Sequence, residues 1–159
     1  MRVYVDSSVF LKLLLDEPGA DKAQEILEAI EEGKVLGFIS PIVLEEVSFK
    51  LLYAKASEVL NTKNVWRIRE ALRLDERVRE ECLKPLKEFQ KYIEHMLTKG
   101  LRVVCVTYED WRNATRFIRK YGLLPADAIH VTIALRVGAG TIATFDDDFR
   151  VVREINVAP

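Results

Sequence analysis

The sequence predicts an α/β protein: a three-layer α/β/α sandwich around a mostly parallel sheet of four or five strands. Short apolar runs recur along the chain, segments of helical period separate them, and turn chemistry marks most of the joints. Strands that alternate with helices favour parallel pairing through right-handed crossovers. The 159 residues, 49% apolar and 31% charged, suit one globular domain with a sizeable core. The expectation is therefore one domain over 1–159, with no linker, repeat or low-complexity tract.

Val3–Val5 reads as the first strand and ends at Asp6; Ser7 or Ser8 then caps a helix to about Leu15. Pro18 and Gly19 break the chain before an amphipathic helix over 20–32, which Gly33 stops. Val35–Ile39 is the second strand. Ser40-Pro41 follows as a helix cap and first turn, for a helix reaching about Leu60. After the interruption at 61–64, residues 65–99 read as further helix with a kink or new start at Pro85. The stretch 53–99 is thus a helical elaboration within the domain. Leu101–Val106 is the third strand, and a helix runs from about Thr107 to Gly122. Pro125 opens a helix to Val137 that is apolar nearly all round, hence buried. Thr141–Phe145 is the fourth strand, and Val151, Ile155 and Val157 suggest an edge strand.

No uncharged apolar run approaches the roughly 18 residues of a membrane span. The opening MRVYVDSS has no signal-peptide pattern, so a cytoplasmic location is expected. Cys82 and Cys105 form no CxxC pair and read as buried thiols in a reducing compartment. The net charge of −1 gives no global sign of nucleic-acid binding. Its distribution is uneven: residues 1–50 hold ten acids and five bases, whereas Trp111–Lys120 has four bases and no acid.

The chemistry concentrates in carboxylates. Asp6 and Asp146 each follow an apolar strand at its C-terminal end, the edge where open α/β sheets bind ligands. Asp127 lies in the first turn after Pro125, and Glu46 in the second turn after Ser40. Glu46 is preferred to Glu45 because Ile42, Val43 and Phe49 surround it at helical spacing, where an unpartnered carboxylate is costly. Two carboxylates about 4 Å apart repel by about 4 kcal/mol at an effective dielectric near 20. Several converging acids therefore need protons or a cation. An all-acid set without His or Cys points to a hard ion, Mg²⁺ or Mn²⁺, rather than zinc.

Each residue also has a plainer reading. Asp6 suits a helix cap, Asp127 complements a helix dipole, Glu46 is one of many helical glutamates, and Asp146–Asp148 suits a solvated turn. The acids carry weight only as a set. His130, one turn after Asp127, reads as a satisfied core histidine, and Trp66 and Trp111 read as core anchors.

Four motifs in order, VDSSVF, SPIVLEEV, LPADAIHVTIAL and ATFDDDF, resemble the PIN-domain ribonucleases, most closely the VapC-like toxins of toxin–antitoxin pairs. The resemblance covers nearly the whole chain and is weakest over 53–99. It implies catalytic, metal-binding roles for Asp6, Glu46, Asp127 and Asp146, with Asp148 as an auxiliary metal-side acid. Ser8 and Thr144 match hydroxyl positions that support the carboxylates. The implied reaction is Mg²⁺- or Mn²⁺-dependent endonucleolytic cleavage of single-stranded RNA, the metal activating water and offsetting charge at the scissile phosphate. An antitoxin partner and a homodimer are implied as well.

RNA held beside acids needs cations. Arg112, Arg116 and Arg119, with Lys120 beside them, share one helix face, and Arg67, Arg69, Arg73, Arg77 and Arg79 form a second group. Solvated faces with internal ion pairs are the competing reading for both. Two other functions compete: a non-catalytic PIN-fold RNA-binding or scaffold protein, which the full acid set disfavours, and a phosphoryl-transfer domain. The latter is disfavoured by DSS in place of DxD and by the lack of a lysine after the last strand.

Overall fold

A computed structural model describes all residues, 1–159. Strands β1 (Arg2–Val5), β2 (Leu36–Ile39), β3 (Leu101–Val103), β4 (Thr141–Ala143) and β5 (Asn156–Ala158) form one sheet in the order β3-β2-β1-β4-β5. Every pairing is parallel. Helices cover both faces: α1 (Ser7–Leu14), α2 (Ala20–Glu31), α3 (Pro41–Leu60), α4 (Val65–Leu74), α5 (Glu76–Leu97), α6 (Tyr108–Tyr121) and α7 (Pro125–Arg136). The expected three-layer α/β/α architecture is the observed one, with the tail as the fifth strand.

The order reverses at β1: the chain first builds outward through β2 and β3, then returns to the other side for β4 and β5. Such a switch point leaves a crevice outside the carboxyl ends of the strands. β1 is buried because both neighbours pair with it; Tyr4 lies between Phe38 and Ile142 in register. The main core includes Tyr4, Phe10, Phe117 and Phe149, each of which is fully buried. Phe10 meets Phe89 edge-on at 5.8 Å, which ties α1 to α5.

Gly100 precedes β3 because a Cβ there would collide with the Ile30 carbonyl oxygen. Gly122 ends α6 at φ +74°, a conformation cheap only for glycine.

Four local expectations are corrected. Asp6, not Ser7 or Ser8, caps α1, its carboxylate accepting from the Ser8 amide. Ser40 occupies the cap position of α3, but its side chain makes no cap bond and instead accepts from the Tyr4 hydroxyl at 2.8 Å. The 65–99 helix breaks at Asp75, and Pro85 lies inside α5. Asp75 accepts from the Arg77 and Val78 amides, so a cap rather than a proline sets the boundary. The third and fourth strands also end earlier than their apolar runs, at Val103 and Ala143.

The elaboration has its own small core of Ala56, Ile68, Val78 and Cys82. Cys82 is buried as expected, whereas Cys105 lies beyond the end of β3 and is exposed. Trp66 and Trp111 are exposed as well, so neither anchors the core. No helix is long and apolar enough to cross a membrane.

Candidate metal centre at the carboxyl edge of the sheet

β1 and β4 are neighbours, so Asp6 and Thr144 come together across 138 residues of chain. The Asp6 amide donates to the Ala143 carbonyl at 2.9 Å, continuing the ladder by one step. Asp6 itself is buried. Its Oδ2 accepts from the Ser8 hydroxyl at 2.6 Å, the Thr144 hydroxyl at 2.8 Å and the Ser8 amide at 3.2 Å. These bonds fall on Oδ2, which leaves Oδ1 for other partners. The two hydroxyls also fix the loop after β4. Ser8 Oγ accepts from the Phe145 amide at 2.9 Å, and Thr144 Oγ1 from the Asp146 amide at 3.0 Å. Ser8 and Thr144 thus hydrogen-bond one oxygen of the Asp6 carboxylate.

Asp146 then caps a short 3₁₀ turn, Asp147–Val151, by accepting from the Asp148 amide at 2.9 Å. Its carboxylate is exposed, as are those of Asp147 and Asp148. Asp147 pairs with Arg150. Asp148 is linked to the acids only through its amide.

Glu46 and Asp127 are half-buried, from α3 and α7. Burial alone would raise the Glu46 carboxyl, but His130, Ser7 and Lys50 outweigh it and hold the group below its ordinary value. Asp127 behaves oppositely. Burial pushes it up to about 6; His130 pulls it back in part, while Asp146, Asp6 and Glu46 add to the rise. Asp127 therefore feels the charge of all three other acids of the sequence-derived set.

His130 corrects the sequence reading. It is buried, yet not satisfied: Nδ1 lies 2.8 Å from the Tyr4 hydroxyl, but Nε2 has no hydrogen-bond partner. Nε2 sits 3.5 Å from Glu46 Oε1. Single ligand atoms of Asp6, Glu46 and His130 all lie within 4.8 Å of one another. The cluster is therefore not made of acids alone, and the premise that set nitrogen-binding metals aside fails. The motif LPADAIH contains the signal, a histidine one helical turn beyond an acid. An apolar helix gives no sign of which buried side chain faces a cleft.

These residues fit a divalent cation. Opposite donors around an ion with bonds of about 2.1 Å stand about 4.2 Å apart, close to the spread of these three atoms. An orphaned buried nitrogen, two carboxylates and a third acid raised by burial and, to a lesser degree, by those acids all gain from a positive charge in their midst.

The basic residues divide. Arg112 pairs with Glu109 and Lys120 with Glu154. Arg116 stacks over Phe117 at 4.7 Å and, with Arg119, lines a surface groove without a carboxylate partner. In the second group, Trp66, Arg67, Arg69 and Arg73 line a separate open groove on α4.

An open parallel sheet with buried Asp6 and His130 beside half-buried Glu46 and Asp127 at its switch point defines an α/β protein whose site lies at the carboxyl ends of β1 and β4. Residues 3–155 match the family model of the PIN domain, and the chain belongs to that family. It is 28% identical to Ribonuclease VapC6 of Methanocaldococcus jannaschii over 98% of this chain and 95% of that protein. Ribonuclease VapC2 of the same organism is also 28% identical, over 94% and 87%. Among solved structures, VapC20 of Mycobacterium tuberculosis, described as a Sarcin-Ricin loop cleaving toxin, aligns with a TM-score of 0.62 at 17% identity, covering 99% of both chains. A toxin–antitoxin complex from Klebsiella pneumoniae gives 0.61 at 14% identity, covering 99% and 96%. At those identities the structural likeness speaks for the fold.

Proposed function

We propose that this protein, acting as one unit over 1–159, is a divalent-metal-dependent endoribonuclease that cleaves single-stranded RNA. We further propose that it is the toxin of a toxin–antitoxin pair. The observation that carries this reading is the convergence of buried Asp6 with Glu46 and His130 at the switch-point edge of the sheet, where burial, with neighbouring acids adding, pushes Asp127 up to about 6. The two relatives named Ribonuclease VapC support the RNA substrate. The solved toxin–antitoxin complex supports a protein antitoxin as partner. Homodimerisation belongs to the same proposal.

Asp6, Glu46, Asp127 and Asp146 would hold Mg²⁺ or Mn²⁺ and position a water for the scissile phosphate, with Asp148 auxiliary. When bound, such an ion supplies a Lewis acid that lowers the pKa of water and offsets phosphate charge. Ser8 and Thr144 keep the Asp6 carboxylate in one orientation, which limits reorganisation during the reaction. Arg116 and Arg119, free of ion pairs, are the proposed contacts to the RNA backbone.

Labelled single-stranded RNA incubated with Mg²⁺, Mn²⁺ or chelator tests the reading. Cleavage is expected with metal, and its loss with chelator or in a folded Asp6→Asn variant. Cleavage that survives both would overturn it, and binding without cleavage would indicate a scaffold. Metal is also expected to raise thermal stability, by about 2.7 kcal/mol at 100 times Kd, and Asp146→Asn to reduce the shift.

A further inference from the structure

His130 carries an inference beyond the acid-only site. It is one of only two histidines in the chain, and the other, His95, is exposed and paired with Glu31. Burying an imidazole nitrogen without a partner is costly. Here that nitrogen is fully enclosed beside two acids, while the rest of the ring is held in place. Tyr4 Oη lies 2.8 Å from both His130 Nδ1 and Ser40 Oγ, and Tyr4 and Ser40 are themselves buried.

Tyr4 donates its hydroxyl proton to Ser40, so the Tyr4 oxygen is free to accept from His130 Nδ1. With the ring proton on Nδ1 and donated to Tyr4, Nε2 of the neutral imidazole presents a lone pair to the space beside Asp6 and Glu46.

We infer that His130 Nε2 is a nitrogen ligand of the cation held by Asp6 and Glu46, with Tyr4 and Ser40 as the positioning pair that fixes the ring and its tautomer. This rests on the metal-dependent reading of the site and deepens it. A nitrogen donor added to carboxylates shifts preference from Mg²⁺ toward transition ions such as Mn²⁺. The hydroxyl pair has the role that outer partners usually play behind a metal-bound histidine.

The test is electron spin-echo spectroscopy of Mn²⁺ added to the metal-free full-length protein, prepared with ordinary and with ¹⁵N-labelled histidine. Nitrogen modulation that changes isotope with the label is expected. Because His95 lies elsewhere, that signal reports His130. His130→Gln is expected to lose the modulation and to bind Mn²⁺ about tenfold more weakly relative to Mg²⁺. If that variant fails to fold, the labelled native protein decides alone. Tyr4→Phe is expected to keep the modulation but weaken Mn²⁺ binding about tenfold; unchanged affinity would remove Tyr4 and Ser40 from the inference. Bound Mn²⁺ without histidine nitrogen coupling overturns the inference and leaves the nuclease reading standing. Mn²⁺ that remains free in solution overturns both.

Discussion

Arg136 grips Asp110 at two points: Nε to Oδ1 at 2.8 Å and Nη2 to Oδ2 at 2.9 Å. The pair fastens α7, which carries Asp127 and His130, to the first turn of α6. Asp110 is only 3% exposed and also accepts from the Thr107 amide and hydroxyl in a capping box. Burial would raise its carboxyl, but Arg136 and Thr107 outweigh it and keep the group charged.

Removing Arg136 therefore strands a buried charge. Arg136→Met is expected to destabilise the fold by about 2–3 kcal/mol, below the range for a pair buried on both sides because Arg136 is partly exposed. Arg112→Met, which breaks the exposed pair with Glu109, is expected to cost less than about 1 kcal/mol. Urea unfolding of both variants checks this; equal losses would refute the difference in burial.

Asp127 makes stability depend on pH. Its carboxyl is pushed up to about 6 from 3.8, so the folded chain holds that proton more tightly than the unfolded chain. Between about pH 4 and 6 the folded state binds more protons, and this group's contribution falls as pH rises, then levels off. The shift corresponds to about 3 kcal/mol at face value and to about 1 kcal/mol after solvent screening of a half-exposed group. Glu46 works in the opposite sense at lower pH, so the readout is the native protein minus Asp127→Asn. The difference should descend across that window and vanish with saturating divalent cation. Parallel pH profiles for the two proteins would contradict it.

Thr144→Val keeps the shape but deletes the hydroxyl that donates to Asp6 and accepts from the Asp146 amide. A loss of about 1–2 kcal/mol in stability is expected, with Mg²⁺ binding weakened about 10- to 100-fold. Calorimetric titration with Mg²⁺ measures the second effect. Unaltered affinity would mean that the hydroxyl does not orient Asp6.

Arg116→Ala and Arg119→Ala are each expected to weaken binding of single-stranded RNA regardless of sequence. Each should flatten the slope of log affinity against log salt by about 0.7. Arg112→Ala, whose guanidinium is already engaged with Glu109, should change the slope least. A steeper loss at Arg112 than at Arg116 would reverse the assignment.

Strand ends and helix starts were legible where local chemistry marks them. Asp6, Pro41, Thr107, Gly122 and Pro125 all sit at element boundaries. The break at Asp75 was obscured because Pro85, nearly three turns later, is the louder signal, although Asp-Glu is a sound helix start. Asp110–Arg136 was invisible because residues 26 positions apart reveal their pairing only once α6 and α7 are packed. His130 illustrates the same limit within the site. Periodicity shows that α7 is buried, but only the sheet order shows which of its side chains faces Asp6 and Glu46.

The central strand β1 comes long before its neighbour β4 along the chain. A ribosome that has delivered the first 130 residues holds Asp6, Glu46 and Asp127 on a chain still lacking the ladder bond from Ala143 and the hydroxyl of Thr144. The acid cluster is fixed only once Ala143 and Thr144 have been added, so a chain cut off before β4 keeps the acids but lacks the two groups that hold the Asp6 amide and carboxylate in place.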